Sequence, residues 1–223
     1  MGLSAVEDKP EKLVKSTDGL ISRAINRKIS SRISRWIVNK RIPLTPNQVT
    51  LMSFLISLIP FPLYVLGYPR FAGVFVQVAS IVDGIDGEIA RLRGLTSKFG
   101  TFIDAMLDRI GDLAMILGAA AYVSKNLRGP INELLIVVFL AVSGSLLVSY
   151  MHGRAEKDLG KHPAFFGRMP PLASRDMRLF ILFTGSVLGF TFEALLAIAI
   201  ITFTYILIKL VEIWKEWSLG RIK

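Results

Sequence analysis

The chain has 223 residues, of which 52% are hydrophobic, and its mean hydropathy of +0.52 exceeds what a soluble domain of this size needs to fill its core. The formal net charge is +10, but the basic residues lie between apolar runs, a pattern that indicates membrane topology and anionic surfaces and argues against a nucleic-acid partner. The absence of cysteine excludes disulfides and thiolate metal sites. Runs of about 20 apolar residues predict an all-α membrane protein.

Two segments precede the first long apolar run. Residues 1–17 are polar and lack the apolar stretch of a cleaved signal peptide, so we interpret them as a polar lead or the remnant of a linker. Residues 18–43 predict an amphipathic helix in the membrane interface, with its basic side toward lipid phosphates. Its isoleucines recur every fourth residue, at Ile21, Ile25, Ile29, Ile33 and Ile37. A helix packed against a partner domain is the alternative that this pattern leaves open.

Residues 44–214 predict a domain of six transmembrane helices, followed by a cytoplasmic tail over residues 215–223. Thr45 and Pro46 are typical of a helix start, as the N-cap and the first helical residue. The six spans are expected at residues 47–67, 71–91, 100–124, 132–151, 177–190 and 192–213.

The Lys and Arg residues fall mainly on one side of these spans. The connections after the first and third spans contain only Arg70 and then Lys125 and Arg128, whereas the connections after the second and fourth spans and both ends of the chain are richer in Lys and Arg. By the positive-inside rule, we expect a multi-pass protein of the cell membrane with both termini in the cytoplasm.

The residues Asp83, Asp86, Asp104 and Asp108 place carboxylates inside the second and third spans. An unpaired carboxylate at the centre of a bilayer costs about 3 kcal/mol on the insertion scale. The members of each pair lie three or four residues apart and therefore share one face of their helix. Because residues 92–99 form only a short link, we expect the two helices to be antiparallel neighbours and the four groups to converge on a divalent cation. Oxygen ligands favour Mg²⁺ or Mn²⁺, and Ca²⁺ could bind without supporting chemistry.

Small residues lie beside these carboxylates. Gly87, Ala90 and Gly100 leave room next to the acidic faces. Because a glycine inside a helix costs about 1 kcal/mol relative to alanine, their clustering indicates that a ligand approaches the backbone closely. At Gly84, tight helix packing explains the glycine equally well.

These residues form a longer pattern with fixed spacing. The segment Asp83-x-x-Asp86-Gly87-x-x-Ala90-Arg91, followed after eight residues by Gly100-x-x-x-Asp104-x-x-x-Asp108, resembles the complete signature of the CDP-alcohol phosphotransferase family. The stretch TPNQVT at residues 45–50 resembles the entry to that family's first helix, and the resemblance extends from residue 18 to the end of the chain. It implies six transmembrane helices, a homodimer and an active site open to the cytoplasm. It also implies an enzyme that transfers a substituted phosphate from a CDP-alcohol to an acceptor alcohol and releases CMP.

The resemblance implies roles for individual residues. Asp83, Asp86 and Asp104 would hold metal on the donor diphosphate, and Asp108 would contact metal and act as the general base. The predicted nucleotide-binding residues are Asn47, Thr50, Gly87, Ala90, Arg91 and Gly100. For Asn47 and Thr50, a capping role alone is the alternative.

A long polar connection between the fourth and fifth spans supplies candidates for acceptor binding. Arginine forks suit a phosphate group on the acceptor alcohol. The predicted phosphate-binding residues are Arg154, Lys161, Arg168 and Arg175, and a solvated positive-inside loop is the alternative for each. We interpret His152 and His162 as polar loop residues and not as ligands.

Within the family, the lead into TPNQVT is most similar to the membrane domain of di-myo-inositol phosphate phosphate synthases, which are often fused behind a soluble cytidylyltransferase. This similarity implies CDP-inositol and inositol phosphate as substrates, and a fused or partner cytidylyltransferase. The alternative is a phosphatidylinositol phosphate synthase or other phospholipid synthase that uses CDP-diacylglycerol or CDP-archaeol. Outside the family, a Mg²⁺ channel or carrier would also place carboxylates in membrane helices, but the sequence shows no series of acidic groups that continues to the far side of the spans, where Glu193 is one nearby charge.

Overall fold

In a computed structural model that describes residues 17–126 and 129–222, every regular element is a helix, so the predicted all-α class is confirmed for this part of the chain. The helices are α1 (Arg27–Asn39), α2 (Pro46–Leu58), α3 (Pro60–Val65), α4 (Pro69–Arg93), α5 (Lys98–Asn126), α6 (Ile131–Leu159), α7 (Arg175–Leu188) and α8 (Thr191–Ser218). A π-helical turn, Ser22–Asn26, leads into α1, and a 3₁₀ turn, Pro163–Phe165, follows α6. Nearly all of the predicted polar lead, together with Arg128, lies outside the described residues.

Proline and glycine set several helix ends. The Thr45 hydroxyl accepts the N–H of Gln48 while the Gln48 side chain accepts the N–H of Thr45, so the predicted helix start is confirmed. The expected first span is divided into α2 and α3 at Pro60, which has no N–H to continue the hydrogen-bond ladder. Helix α4 ends at Gly94, whose φ of +66° is a left-handed conformation that glycine adopts without strain.

Helix α1 and the turn before it present three different faces. The buried face is polar, since Asn26, Ser30 and Ser34 are at most 4% exposed and pack against α4. The exposed apolar residues are Ile25, Ile29, Ile33 and Trp36, and the exposed basic residues include Lys28 and Arg32. The predicted helix is therefore present, but it packs on its own chain through serines, and most of the isoleucine row stays exposed.

Helix α4 lies at the centre of the helix packing, in contact with α1, α2, α3 and α7. Its contacts with α7 and α2 are more extensive than its contacts with α5. Helices α4 and α5, predicted as antiparallel neighbours, therefore meet over only a short stretch, because α2 packs against both of them.

The largest apolar core is built from residues of α3 to α8. The Tyr64 hydroxyl of α3 is within 2.5 Å of the Ser186 hydroxyl of α7, which satisfies a polar group in this fully buried region. At Gly118 of α5, a side chain would lie 2.9 Å from the Cα of Phe61, so glycine permits the close approach of α5 to α3. This core fixes the relative positions of the helices that carry the acidic residues.

Three helical segments are long and apolar enough to cross a membrane, namely Pro46–Val65, Ile131–Leu159 and Thr191–Ser218. Helices also occupy the other three predicted positions. However, charged side chains interrupt the apolar runs of α4 and α5, and α7 has only 14 residues. Length and composition thus support three spans in the described part of the chain, where the sequence predicted six.

Candidate active site

Three carboxylates from two helices converge beside the connection between α4 and α5. Asp83 of α4 and Asp104 and Asp108 of α5 each place one carboxylate oxygen within 4.8 Å of the others, and all three side chains are partly buried. In the described residues, no other group of three or more His, Cys, Asp or Glu side chains could hold a metal ion. A donor set made only of carboxylate oxygens fits a hard divalent cation.

Asp86 is not one of this group of three, but its side chain lies next to that of Asp104 and also contacts α2. It is 5% exposed, and its carboxylate accepts a 2.5 Å hydrogen bond from the Thr50 hydroxyl and another from the N–H of Gly87. Three of the four predicted metal ligands therefore lie in one group. The fourth, Asp86, is hydrogen-bonded to Thr50 near the start of α2.

A layer of arginines lies against the acidic group. Arg175, the first residue of α7, places Nη1 2.7 Å from Asp83 and 3.1 Å from Asp108. Arg109 lies 3.8 Å from Asp108 and donates a 2.7 Å hydrogen bond to the Ser149 hydroxyl. These fixed positive charges reduce the repulsion among carboxylates that share a poorly hydrated site.

The predicted nucleotide-binding residues lie around the start of α2, the end of α4 and the start of α5. The space beside Gly87 is open, because a Cβ there would meet only the Arg91 guanidinium, at 3.4 Å. A Cβ at Gly100 would lie 2.9 Å from the Ser97 hydroxyl and 3.9 Å from the Asn47 side chain, which faces it across the gap. Ala90 is partly buried on the same helix as Gly87. By contrast, a Cβ at Gly84 would lie 2.6 Å from the Arg27 guanidinium. Tight packing between helices therefore explains this glycine, and a ligand is not needed there.

A polar cavity of about 210 Å³ opens on the other side of Asp83. Its walls come from α1 and the segment that leads into it, from α4, and from α6, α7 and the connection between them. They include Asn26, Ser80, Asp83, His152, His162 and Arg175. The two imidazole ring centroids are 4.4 Å apart. Burial lowers the pKa of His162, so this ring is neutral near pH 7.

The four predicted acceptor-binding residues are not equally placed. Arg175 lines the cavity, whereas Arg154 is exposed and forms a 2.7 Å ion pair with Asp158. Lys161 lies over the Phe166 ring, with Nζ 5.1 Å from its centroid. Arg168 has an exposed side chain, and its N–H donates to Glu212. The structure thus brings one of the four to the acidic site.

Two buried acids near the site were not singled out from the sequence. Asp112 of α5 is 6% exposed and pairs with Arg175, and Glu88 of α4 is fully buried against α1. Asp112 continues the four-residue spacing of Asp104 and Asp108, and Glu88 lies inside the signature itself, so both were visible as charges on buried helical faces.

Comparison with known proteins places this arrangement in a family. Residues 43–217 match the family model described as CDP-alcohol phosphatidyltransferase. The match covers most of the chain, and the chain belongs to this family.

Individual relatives support the assignment. The bifunctional IPC transferase and DIPP synthase of Aquifex aeolicus is 33% identical over 218 residues, which are 95% of this chain and 49% of that protein. The archaetidylinositol phosphate synthase of Pyrococcus horikoshii is 32% identical over 177 residues, 79% of this chain and 87% of that protein. The chain spans about half or less of the length of the bifunctional relatives that it matches, 49% and 39% for two of them.

A solved structure has the same fold. The crystal structure of the Mycobacterium tuberculosis phosphatidylinositol phosphate synthase with CDP-DAG bound superposes with a TM-score of 0.69 at 25% identity, covering 84% of this chain and 94% of that one.

Proposed function

We propose that this chain is a membrane-bound, metal-dependent CDP-alcohol phosphotransferase, which transfers a substituted phosphate from a CDP-alcohol to an acceptor alcohol and releases CMP. The observation that carries the proposal is the convergence of Asp83, Asp104 and Asp108 between two helices, at positions fixed by the family signature. Membership of the family and the names of the relatives support the reaction class.

The acidic group fits a divalent cation, because its donors are carboxylate oxygens. Asp83, Asp86 and Asp104 would hold the ion, and Asp108, from the same acidic group, would contact it as well. Bound Mg²⁺ or Mn²⁺ would neutralise negative charge on the donor diphosphate and on the departing CMP, and Ca²⁺ would bind without supporting turnover.

The chain's own residues then orient the acceptor and move its proton. The acceptor oxygen forms a bond to the phosphorus that carries the donor alcohol, the bond from that phosphorus to the bridging oxygen breaks, and CMP leaves. Asp108 is the general base that takes the proton of the acceptor hydroxyl. Its carboxylate is held at 3.1 Å from Arg175 Nη1, which fixes its orientation.

The nucleotide part of the donor would bind near the ends of α2, α4 and α5. The open space at Gly87 and the facing pair of Asn47 and Gly100 support this placement. The groups assigned to nucleotide binding are Asn47, Thr50, Gly87, Ala90, Arg91 and Gly100.

The acceptor would bind in the cavity beside Asp83. Its polar lining suits a hydroxyl-rich ring, and Arg175 supplies a guanidinium for a phosphate group. Arg154, Lys161 and Arg168 would assist from the rim of the same connection. We propose CDP-inositol and inositol phosphate as the substrate pair, a choice that the name of the Aquifex relative supports. The names of the archaeal and mycobacterial relatives favour the alternative, a phosphatidylinositol phosphate or archaetidylinositol phosphate synthase with a lipid donor.

In the membrane, we propose that all six predicted spans between residues 44 and 214 cross the bilayer, the first of them formed by α2 and α3 together. Helix α1 would lie along the membrane surface, and both termini and the active site would face the cytoplasm. The chain would act as a homodimer, with a cytidylyltransferase supplied as a fused domain or partner. Shielding of the charged faces of α4 and α5 by α2 and α7 supports burial of these two helices inside the bundle.

The test is CMP release from purified chain, in detergent or proteoliposomes, with Mg²⁺, inositol phosphate, and either CDP-inositol or CDP-diacylglycerol. We expect turnover with one donor, abolished by EDTA and restored by Mg²⁺ or Mn²⁺. Lack of CMP release with every CDP-alcohol would refute the transferase, and uptake of Mg²⁺ into sealed proteoliposomes would favour a channel or carrier.

A further inference from the structure

Asp112 binds three arginines with one buried carboxylate. Its oxygens lie 2.8 Å from Nε of Arg175, 3.5 Å from Nη1 of Arg109 and 3.6 Å from Nη2 of Arg178. The side chain is one helical turn beyond Asp108 on the same face of α5. It is not part of the carboxylate group that could hold a metal ion.

The contacts of Arg175 divide between the two edges of its guanidinium. The Nε edge faces Asp112, and Nη1 faces Asp83 and Asp108. A guanidinium is planar, so a carboxylate on one edge fixes the direction of the other nitrogens. The same arginine lines the polar cavity of about 210 Å³ beside Asp83. Asp112 thus holds one edge of the guanidinium that lies between the acidic group and this cavity.

Arg178 has a different role, since it is 4% exposed and donates a 2.7 Å hydrogen bond to the carbonyl of Ser145. Arg109 likewise bonds the Ser149 hydroxyl of α6 at 2.7 Å. Both therefore connect Asp112 to α6, while Arg175 alone connects it to the cavity. Asp112 is anchored by α6 and α7, and of its three arginines only Arg175 lines the cavity.

We propose that Asp112 is a positioning residue, which holds Arg175 in the orientation that binds a phosphate group on the acceptor alcohol. This inference rests on the proposed function for the identity of the ligand. It assigns to Asp112 no contact with substrate or metal.

The test compares Asp112→Asn, Asp112→Glu, Arg175→Lys and the double variant Asp112→Asn/Arg175→Lys with the unaltered chain. The affinities for inositol phosphate and for CDP are measured by calorimetry in detergent with Mg²⁺, and the KM for each substrate is measured separately by CMP release. Glu216→Gln, which breaks the exposed ion pair with Arg221, is the matched control. Melting temperatures report whether each variant folds.

We expect Asp112→Asn to weaken inositol phosphate binding by about tenfold or more, the typical effect of a lost charge-assisted hydrogen bond, and to change CDP affinity less than about twofold. Because both residues act as a unit, the double variant should be no weaker than Arg175→Lys alone. If Asp112→Asn does not fold, Asp112→Glu keeps the buried charge, moves the carboxylate by one methylene, and should show the same selective loss.

The proposal is overturned if inositol phosphate affinity is unchanged in these variants, if CDP affinity falls equally, if the two single losses multiply, or if the unaltered chain does not bind inositol phosphate. Absence of CMP release by the unaltered chain would instead count against the transferase, and the binding comparison would still decide the role of Asp112.

Discussion

The Oγ of Ser34 donates a 2.6 Å hydrogen bond to Oε2 of Glu88, and so joins helix α1 to a residue inside the acidic signature of α4. The other Glu88 oxygen accepts from Ser30 at 2.8 Å and pairs with Arg27 at 2.9 Å. Glu88 is fully buried, and these three partners, Arg27, Ser30 and Ser34, all belong to α1. The Glu88 carboxylate thus attaches α1 to α4, at a position two residues from Asp86.

Removing this carboxylate should release α1. We expect Glu88→Ala to destabilise the chain by about 3 kcal/mol or more, because Arg27 loses a buried partner and two serine hydroxyls lose their acceptor. Glu88→Gln can accept from one serine and donate its amide N–H to the other serine hydroxyl, so it should cost less. Hydrogen exchange over residues 22–39 measures the release. Exchange in Glu88→Ala as slow as in the control Glu216→Gln would contradict this role.

Two glycines three residues apart in α4 should respond oppositely to alanine. A Cβ at Gly84 would lie 2.6 Å from the Arg27 guanidinium, which Asp18 and Glu88 hold in place, so Gly84→Ala should lower the melting temperature. A Cβ at Gly87 meets only the Arg91 guanidinium at 3.4 Å, and alanine is the better helix former by about 1 kcal/mol, so Gly87→Ala should fold at least as stably.

Because Gly87→Ala should fold normally, its CDP affinity can be used to test whether Gly87 contacts the ligand. If the CDP-alcohol backbone contact is made there, Gly87→Ala should weaken CDP affinity at least about tenfold while the melting temperature is kept. Calorimetry with CDP measures this, with Gly84→Ala as the partner variant. Unchanged CDP affinity in Gly87→Ala would remove this glycine from the nucleotide site.

Replacing Asp104 or Asp108 with asparagine should affect different properties of the enzyme, namely metal binding and turnover. We expect Asp104→Asn to abolish Mn²⁺ binding, measured by the free-ion electron paramagnetic resonance signal, because the amide is a weaker ligand for a hard cation. Asp108→Asn should keep Mn²⁺ and CDP binding and reduce turnover by about 100-fold or more, since it cannot accept the hydroxyl proton. Retained turnover in Asp108→Asn would exclude it as the base.

The sequence located the helices well because long apolar runs end at proline, glycine or basic residues, as at Thr45-Pro46 and Gly94. The fixed spacing of Asp104 and Asp108 was enough to place both on one face of α5, and three of the four predicted acids converge. The spacing could not show that α2 would separate most of α4 from α5, which depends on packing between distant segments.

The sequence did not predict the polar buried face of α1, for a different reason. Serines in an amphipathic pattern look like solvent-facing residues, and their burial is favourable only because Glu88, more than 50 residues away, accepts their hydrogen bonds. The sequence predicted Arg175 as a phosphate-binding residue, but it could not show that α7 places this arginine against three carboxylates.

The connection between α6 and α7 is held against α8 by Glu212 and Lys209. Glu212 accepts the N–H groups of Arg168 and Met169, and the buried Lys209 donates to Glu212 and to the carbonyl of Phe166. Gly167 has a φ of +65°, and a Cβ there would lie 2.1 Å from the Glu212 carboxylate carbon. We therefore expect Gly167→Ala and Glu212→Ala to accelerate trypsin cleavage at Lys161 and Arg168. Gly94→Ala has a similar φ of +66° with open space around it and should leave that cleavage unchanged.

The same connection should respond to acid through His162. Its Nδ1 accepts the N–H of Ala164 at 3.1 Å, and burial, together with the nearby charge of Lys209, holds the pKa of His162 below its usual value of 6.5 even though Glu156 opposes the shift. A folded-state pKa below the unfolded value means that the neutral ring stabilises the fold above about pH 6.5, and that this stability is lost as the pH falls below it. His162→Asn keeps an acceptor for Ala164 and does not titrate. The melting temperature of the unaltered chain should therefore fall more than that of His162→Asn between pH 7.5 and 5.5, and parallel curves would show that His162 does not contribute.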